Sequence, residues 1–194
     1  EGEAWYGTTA GYTALVRARA FGFGMDAFLI EPSEPEEIAT DTRLAGINLQ
    51  AQFSNTDAAF TFFYVPESES IYPTADGRRL PKEGLWTFNP SLSMTKPFCL
   101  DGSWIKAEYA YQSHEEFDMS AQAGYVWVGY QAEKYSWRPA FSYRWSIFTG
   151  DKPGTRTFER FDPLFSGGLA DFLPGIVFSK VYKNTNLITN RATF

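Results

Sequence analysis

Cysteine and histidine are almost missing from this sequence. One cysteine, Cys99, and one histidine, His114, among 194 residues exclude an internal disulfide and a Cys/His metal cluster. No uncharged apolar run approaches the roughly 20 residues that a membrane-crossing helix needs, and mean hydropathy is below zero. A helical membrane bundle is therefore excluded. A transmembrane β-barrel is not, because its lipid-facing residues alternate with polar ones. Cationic excess is missing too: 17 Lys and Arg against 23 Asp and Glu give a net charge of −6. The chain as a whole does not advertise nucleic-acid binding. No segment holds helical amphipathicity beyond about two turns.

Aromatic residues are abundant. With 18 Phe, 11 Tyr and 6 Trp, the chain has ample surface to bury and intrinsic disorder is excluded. These residues recur with period two in segments of about ten, separated by Pro/Gly/Asp/Glu-rich clusters. Within 86–95, Trp86, Phe88, Pro90, Leu92 and Met94 share one parity; Thr87, Asn89, Ser91, Ser93 and Thr95 share the other. Segments 137–147, 43–53 and 105–111 repeat the pattern. Weaker strands are expected at 58–65, 119–132, 175–182 and 187–194, together with one long strand over 15–30. That makes about nine. Short connections at 54–57 and 133–136 read as hairpin turns; 31–40, 66–83 and 149–173 read as long loops.

The reading is all-β: an antiparallel up-and-down transmembrane β-barrel, with 1–194 a single barrel region. A soluble sandwich or lipocalin-like barrel also alternates. Here, however, the apolar parity is expected to carry Trp86, Trp127, Trp137, Trp145, Tyr109, Tyr111 and Tyr143, more bulk than a small barrel interior holds. The opposite parity is rich in Ser, Thr, Asn, Gln and Gly with single cations. Lipid outside and water inside accounts for both faces. Trp86, Trp104, Tyr135 and Trp137 are expected in interfacial girdles. Pro90 and Pro139 fall within strand patterns, where each removes a ladder donor. An odd count of nine and an abrupt start at Glu1-Gly2-Glu3 lead us to expect a segment of a larger barrel with unpaired edges, about 8–9 strands in this chain.

The run Tyr143-Arg144-Trp145, Thr149-Gly150-Asp151, Phe161-Asp162-Pro163-Leu164-Phe165 and Gly168, with the step onward from Lys183-Asn184-Thr185, resembles the alginate export family of bacterial outer-membrane porins. The likeness extends diffusely from about Met25 to the end, over part of that family's barrel. It implies passive export of an anionic polysaccharide through an electropositive pore in the outer membrane, with no chemistry and no cofactor. The partners implied are anionic polysaccharide or small anions, outer-membrane lipid and periplasmic export machinery.

The parity of the residues gives the same pathway its candidates. Lys106, Arg138 and Arg144 fall on the inferred lumen side, where guanidinium groups pair bidentately with sugar carboxylates. Gln50, Gln52, Asn48, Asn89 and Gln112 add neutral hydrogen bonds, and Glu108 dilutes the field. Arg138 and Arg144, six residues apart, are expected about 20 Å apart along one strand. Asp162 is expected to cap the turn that Pro163 initiates, while Phe161 and Phe165 pack the loop and Asp151 marks its start. Glu34, Glu36 and Glu37 read as a solvated loop, with Ca²⁺ binding the lesser reading. His114 reads as an exposed strand end and Cys99 as a buried or lipid-facing small residue. Competing functions are a general or small-anion porin on the same scaffold, a soluble carbohydrate-binding β-domain with exposed Trp, and an outer-membrane hydrolase. The last lacks a convergent Ser/His/Asp set.

Overall fold

The computed structural model describes residues 12–31, 41–74, 77–152, 154–163 and 186–194. They form a nine-stranded antiparallel sheet with its strands in chain order: β1 (Tyr12–Ala20), β2 (Phe23–Glu31), β3 (Arg43–Phe53), β4 (Thr56–Glu67), β7 (Leu85–Thr95), β8 (Ser103–His114), β9 (Ala121–Gln131), β10 (Ala140–Phe148) and β11 (Leu187–Thr193). A small hairpin, β5 (Ile71–Pro73) with β6 (Arg79–Pro81), lies between β4 and β7. Among the described residues β1 pairs with β2 alone and β11 with β10 alone, so they form no closed barrel.

The expected long strand over 15–30 is two strands. Phe21 (φ 51°) and Gly22 (φ 81°) both take positive φ and reverse the chain in two residues. This is the backbone of the tight hairpin turn that normally advertises itself with Asn or Asp; Phe21 conceals it. Strand β10 starts at Ala140, so Trp137 and Pro139 belong to the preceding turn and Pro139 removes nothing from a ladder. Pro90 does lie inside β7. The carbonyl of Tyr109, opposite it in the β7–β8 register, accepts Asn89 Nδ2 at 3.0 Å. A neighbouring side chain thus supplies the donor that proline lacks. The strand expected at 175–182, the acidic cluster at 34–37 and Phe165 lie outside the described residues.

Connections of one kind fall at one end, with one exception. The β1–β2, β3–β4, β7–β8 and β9–β10 links at one end are two to eight residues. At the other end β2–β3, β4–β7 and β10–β11 are joined by longer ones, the exception being the six-residue β8–β9 link at that second end. At that second end, Leu44, Val65, Tyr72, Leu85, Met119, Ala121 and Phe158 form a buried apolar cluster, with Ile30, Phe63, Phe117 and Phe161 packed on it. Side chains from 68–84, 115–120 and 149–163 pack over one face of the sheet there.

The two faces are unlike. One bears Met25, Leu29, Ile47, Leu49, Phe60, Phe88, Leu92, Tyr109, Val126, Val128, Tyr130, Phe141, Tyr143, Trp145 and Ile188, all exposed. Its rings touch across strands, as Phe62 does with Trp86 and with Phe88, both at 5.1 Å. Among the described residues, charge on this face occurs only at strand ends by the long loops, where Arg43 pairs with Glu31 at 2.8 Å and with Glu67. Every charged residue within a strand of the sheet lies on the other face: Arg17, Arg19, Asp26, Asp57, Lys106, Glu108, Arg144 and Arg191. Thr87, Gln112, Arg144 and Ser146 are buried there. The uncharged face meets no opposing layer among the described residues, whereas a water-soluble sandwich hides its apolar side chains between two sheets.

Candidate functional site

Directly opposed residues share a face, so the register assembles the polar face row by row. One row reads Asp57, Ser93, Lys106, Trp127, Arg144, Arg191. Neighbouring strands lie about 4.8 Å apart, so three cations stand within about 15 Å around one indole. Lys106 Nζ is 5.6 Å from the Trp127 ring centroid and Arg144 Cζ is 5.7 Å from it. Arg144 also lies 4.1 Å over the Tyr125 ring, and these cation–π contacts hold a guanidinium that is only 7% exposed. Arg144 and Arg191 face each other across adjacent strands, a like-charge pairing that ordinarily destabilises a sheet. The arginines near the first edge differ: Arg17 and Arg19 both bond to Asp26, at 3.0 and 2.9 Å. Toward the other edge, β8, β10 and β11 carry Lys106, Arg144 and Arg191 on the same face, together with Glu108 of β8.

Beside this row, toward β3, a groove of about 380 Å³ is lined by Gln50, Gln52, Asp57, Ser91, Ser93, Lys106 and Glu108. Asn89 is committed to the Tyr109 carbonyl and to Glu108 Oε1 at 3.1 Å, which ties β7 to β8.

Toward the long-loop end the face is closed by the segment after β10. Gln112, fully buried, makes a reciprocal pair with the backbone of Asp162: its Nε2 donates to the Asp162 carbonyl at 2.7 Å, and its Oε1 accepts the Asp162 N–H at 2.8 Å. The Asp162 carboxylate accepts Tyr72 OH at 2.7 Å and lies 2.9 Å from Lys82 Nζ. Burial, and then the charge of Asp162, push the Tyr72 phenol well above its ordinary range, so it remains a donor. Asp162 is thus a largely buried tie between three segments, and the turn it was expected to cap, from Pro163 onward, runs outside the described residues. Asp151 fastens the same loop, its carboxylate accepting the Glu159 and Arg160 N–H groups at 2.9 and 3.0 Å and Arg160 Nε at 3.2 Å. Phe161 packs at 6.1 Å from Phe148, and Pro163 lies exposed at the limit of the described segment.

Of the residues expected to line a pathway, Lys106, Arg144, Gln50, Gln52 and Asn89 share the polar face. Arg138 does not belong with them. It lies in the β9–β10 turn with φ 41° and bonds to Glu133, so the 20 Å strand separation from Arg144 does not exist. Trp127 and Trp104, expected on the lipid side, face the other way, since Trp127 is opposed to Lys106 and Arg144, and Trp104 to Thr95. His114 is buried and stacked on Phe117 at 4.0 Å, not an exposed end. Cys99 is exposed in the 3₁₀ turn Pro97–Cys99, not buried. Arg191 escaped the sequence reading, because only its pairing with Arg144 gives it meaning. Among the described residues no three His, Cys, Asp or Glu side chains gather to hold a metal. No family model matches the chain, and no curated protein or solved structure matches it.

Proposed function

We propose that this chain forms wall of an outer-membrane β-barrel channel of the alginate-export type, through which an anionic polysaccharide passes without chemical change. The exposed, uncharged face is then the lipid face. Strands of nine to twelve residues in β1–β4 and β7–β10 suit a bilayer crossing of about 9–11 tilted residues. Turns of at most eight residues at one end, against three longer connections and the six-residue β8–β9 link at the other, follow outer-membrane architecture. The observation that carries the reading is the placement of all strand-interior charge on the opposite face, with Lys106, Arg144 and Arg191 in one row. Rows of Lys and Arg favour anions in pores.

The test is reversal potential under a salt gradient in planar bilayers holding the full-length protein. Arg144→Glu is expected to lower anion preference and slow passage of a uronate polymer, with neutral-solute flux little changed. Arg144→Lys keeps the charge and largely preserves selectivity. A wild-type pore without anion preference, or an Arg144→Glu pore with unaltered reversal potential, refutes the mechanism. Purification as a soluble species without detergent favours the carbohydrate-binding domain instead.

A further inference from the structure

Two tryptophans on a polar, charge-bearing face are out of place unless something apolar meets them there. Trp104 is opposed to Gly129, and its indole covers the glycine: a Cβ at 129 would lie 2.1 Å from Trp104 Cζ2 and 2.3 Å from Cε2. Covering a sheet glycine with a neighbouring ring is a recognised stabilising device, and it fixes the indole. It does not account for Trp127. That ring stands nearly perpendicular to Trp104, at 85° with 4.6 Å between centroids, and carries Lys106 and Arg144 on cation–π contacts. Both indoles are only partly covered, and the Lys106 side chain is exposed. A rigid aromatic corner thus lies beside two oriented cations and next to the groove lined by Gln50, Gln52 and Ser93.

The C–H faces of a pyranose ring are apolar and its edge is polar. Aromatic faces suit the first, amide and hydroxyl groups the second, and cations a ring carboxylate. Resting on the anionic-polysaccharide reading above, we infer that Trp104, Trp127, Lys106 and Arg144 form a subsite for a carboxylated pyranose unit. Trp104 supplies the stacking surface. Trp127 is a positioning residue that aims the two cations.

Isothermal titration of the full-length protein in detergent micelles, with trigalacturonate and with maltotriose as probes, tests this. Trigalacturonate is expected to bind at least tenfold more tightly than maltotriose. Trp104→Leu should weaken it tenfold or more, and Trp104→Phe should restore most of the loss. Trp137→Leu, in the exposed β9–β10 turn, should change nothing. Lys106→Gln, at an exposed position that folding tolerates, should weaken trigalacturonate about fivefold without altering maltotriose. Equal affinity for the two sugars, no trigalacturonate binding by the wild type, or unchanged affinity in both Trp104→Leu and Lys106→Gln overturns the subsite. The outcomes separate from those of conduction: an anion-selective pore that binds no trigalacturonate sinks the subsite alone, and a binder without anion preference sinks the mechanism of passage alone.

Discussion

Removing the Asp162 carboxylate is the sharpest probe of how the loop is held on the sheet. Its Lys82 and Asp162 side chains are 10% and 13% exposed and 2.9 Å apart, and Tyr72 OH bonds to the same carboxylate oxygen. Breaking a buried ion pair from one side costs about 3–5 kcal/mol. The residual exposure argues for the lower figure, about 3 kcal/mol. The loss acts locally, because Asp162 ties a loop to the sheet and takes no part in the strand ladders. Hydrogen exchange of the peptide spanning 149–163, followed by mass spectrometry, reads such opening directly. At about 1.4 kcal/mol per factor of ten, Asp162→Ala should speed exchange there about 100-fold, including the Asp162 amide now bonded to Gln112 Oε1. Strand amides in β7–β9 should be unaffected. Asp162→Asn, which keeps an acceptor for Tyr72, should fall between. Exchange in 149–163 within threefold of wild type in Asp162→Ala would refute the tie.

Two more expectations follow from the faces and the hairpin. Val126→Arg, on the uncharged face, should cost about 2–4 kcal/mol in urea titrations of vesicle-folded protein, whereas Ser91→Arg on the polar face should cost less than 1 kcal/mol; equal costs would contradict the assignment of faces. Tyr72, with its folded-state pKa raised, contributes stability that is complete below the ordinary tyrosine value of about 10 and is lost as pH rises beyond it. Protease cutting within 149–163 should therefore increase above about pH 10 in the wild type and show a weaker pH dependence in Tyr72→Phe; identical profiles would exclude the tyrosine as its source.

The sequence revealed facing where one parity was polar throughout. In β7, Thr87, Asn89, Ser91 and Ser93 against Trp86, Phe88, Leu92 and Met94 leave no ambiguity, and the register puts the first set on the charge-bearing face and the second on the uncharged one. In β9 both parities are apolar or small: Ala123, Tyr125 and Trp127 against Gly124, Val126 and Val128. Only pairing with Lys106 and Arg144 decides which face Trp127 occupies, and pairing is a long-range fact. Residue type misled there, because a tryptophan was assigned to lipid on bulk alone. The hairpin at Phe21-Gly22 was hidden by an aromatic where turn chemistry favours Asn or Asp. Asp162 was legible as a loop residue, but its partners Lys82, Tyr72 and Gln112 lie 50 to 90 positions away. No local pattern could have joined them.

The uncharged face of the sheet has a thermodynamic corollary. Side chains such as Phe60, Leu49, Val128 and Trp145 find no opposing layer within the described residues; on the proposed lipid-facing reading, that half of their core comes from the bilayer or detergent. The folding equilibrium is then also a partition equilibrium. Amphiphile enters it as a ligand of the native state, adding stability as the logarithm of its concentration. A melting temperature for this protein is accordingly a property of a mixture, and comparisons between variants hold only at one amphiphile and one concentration.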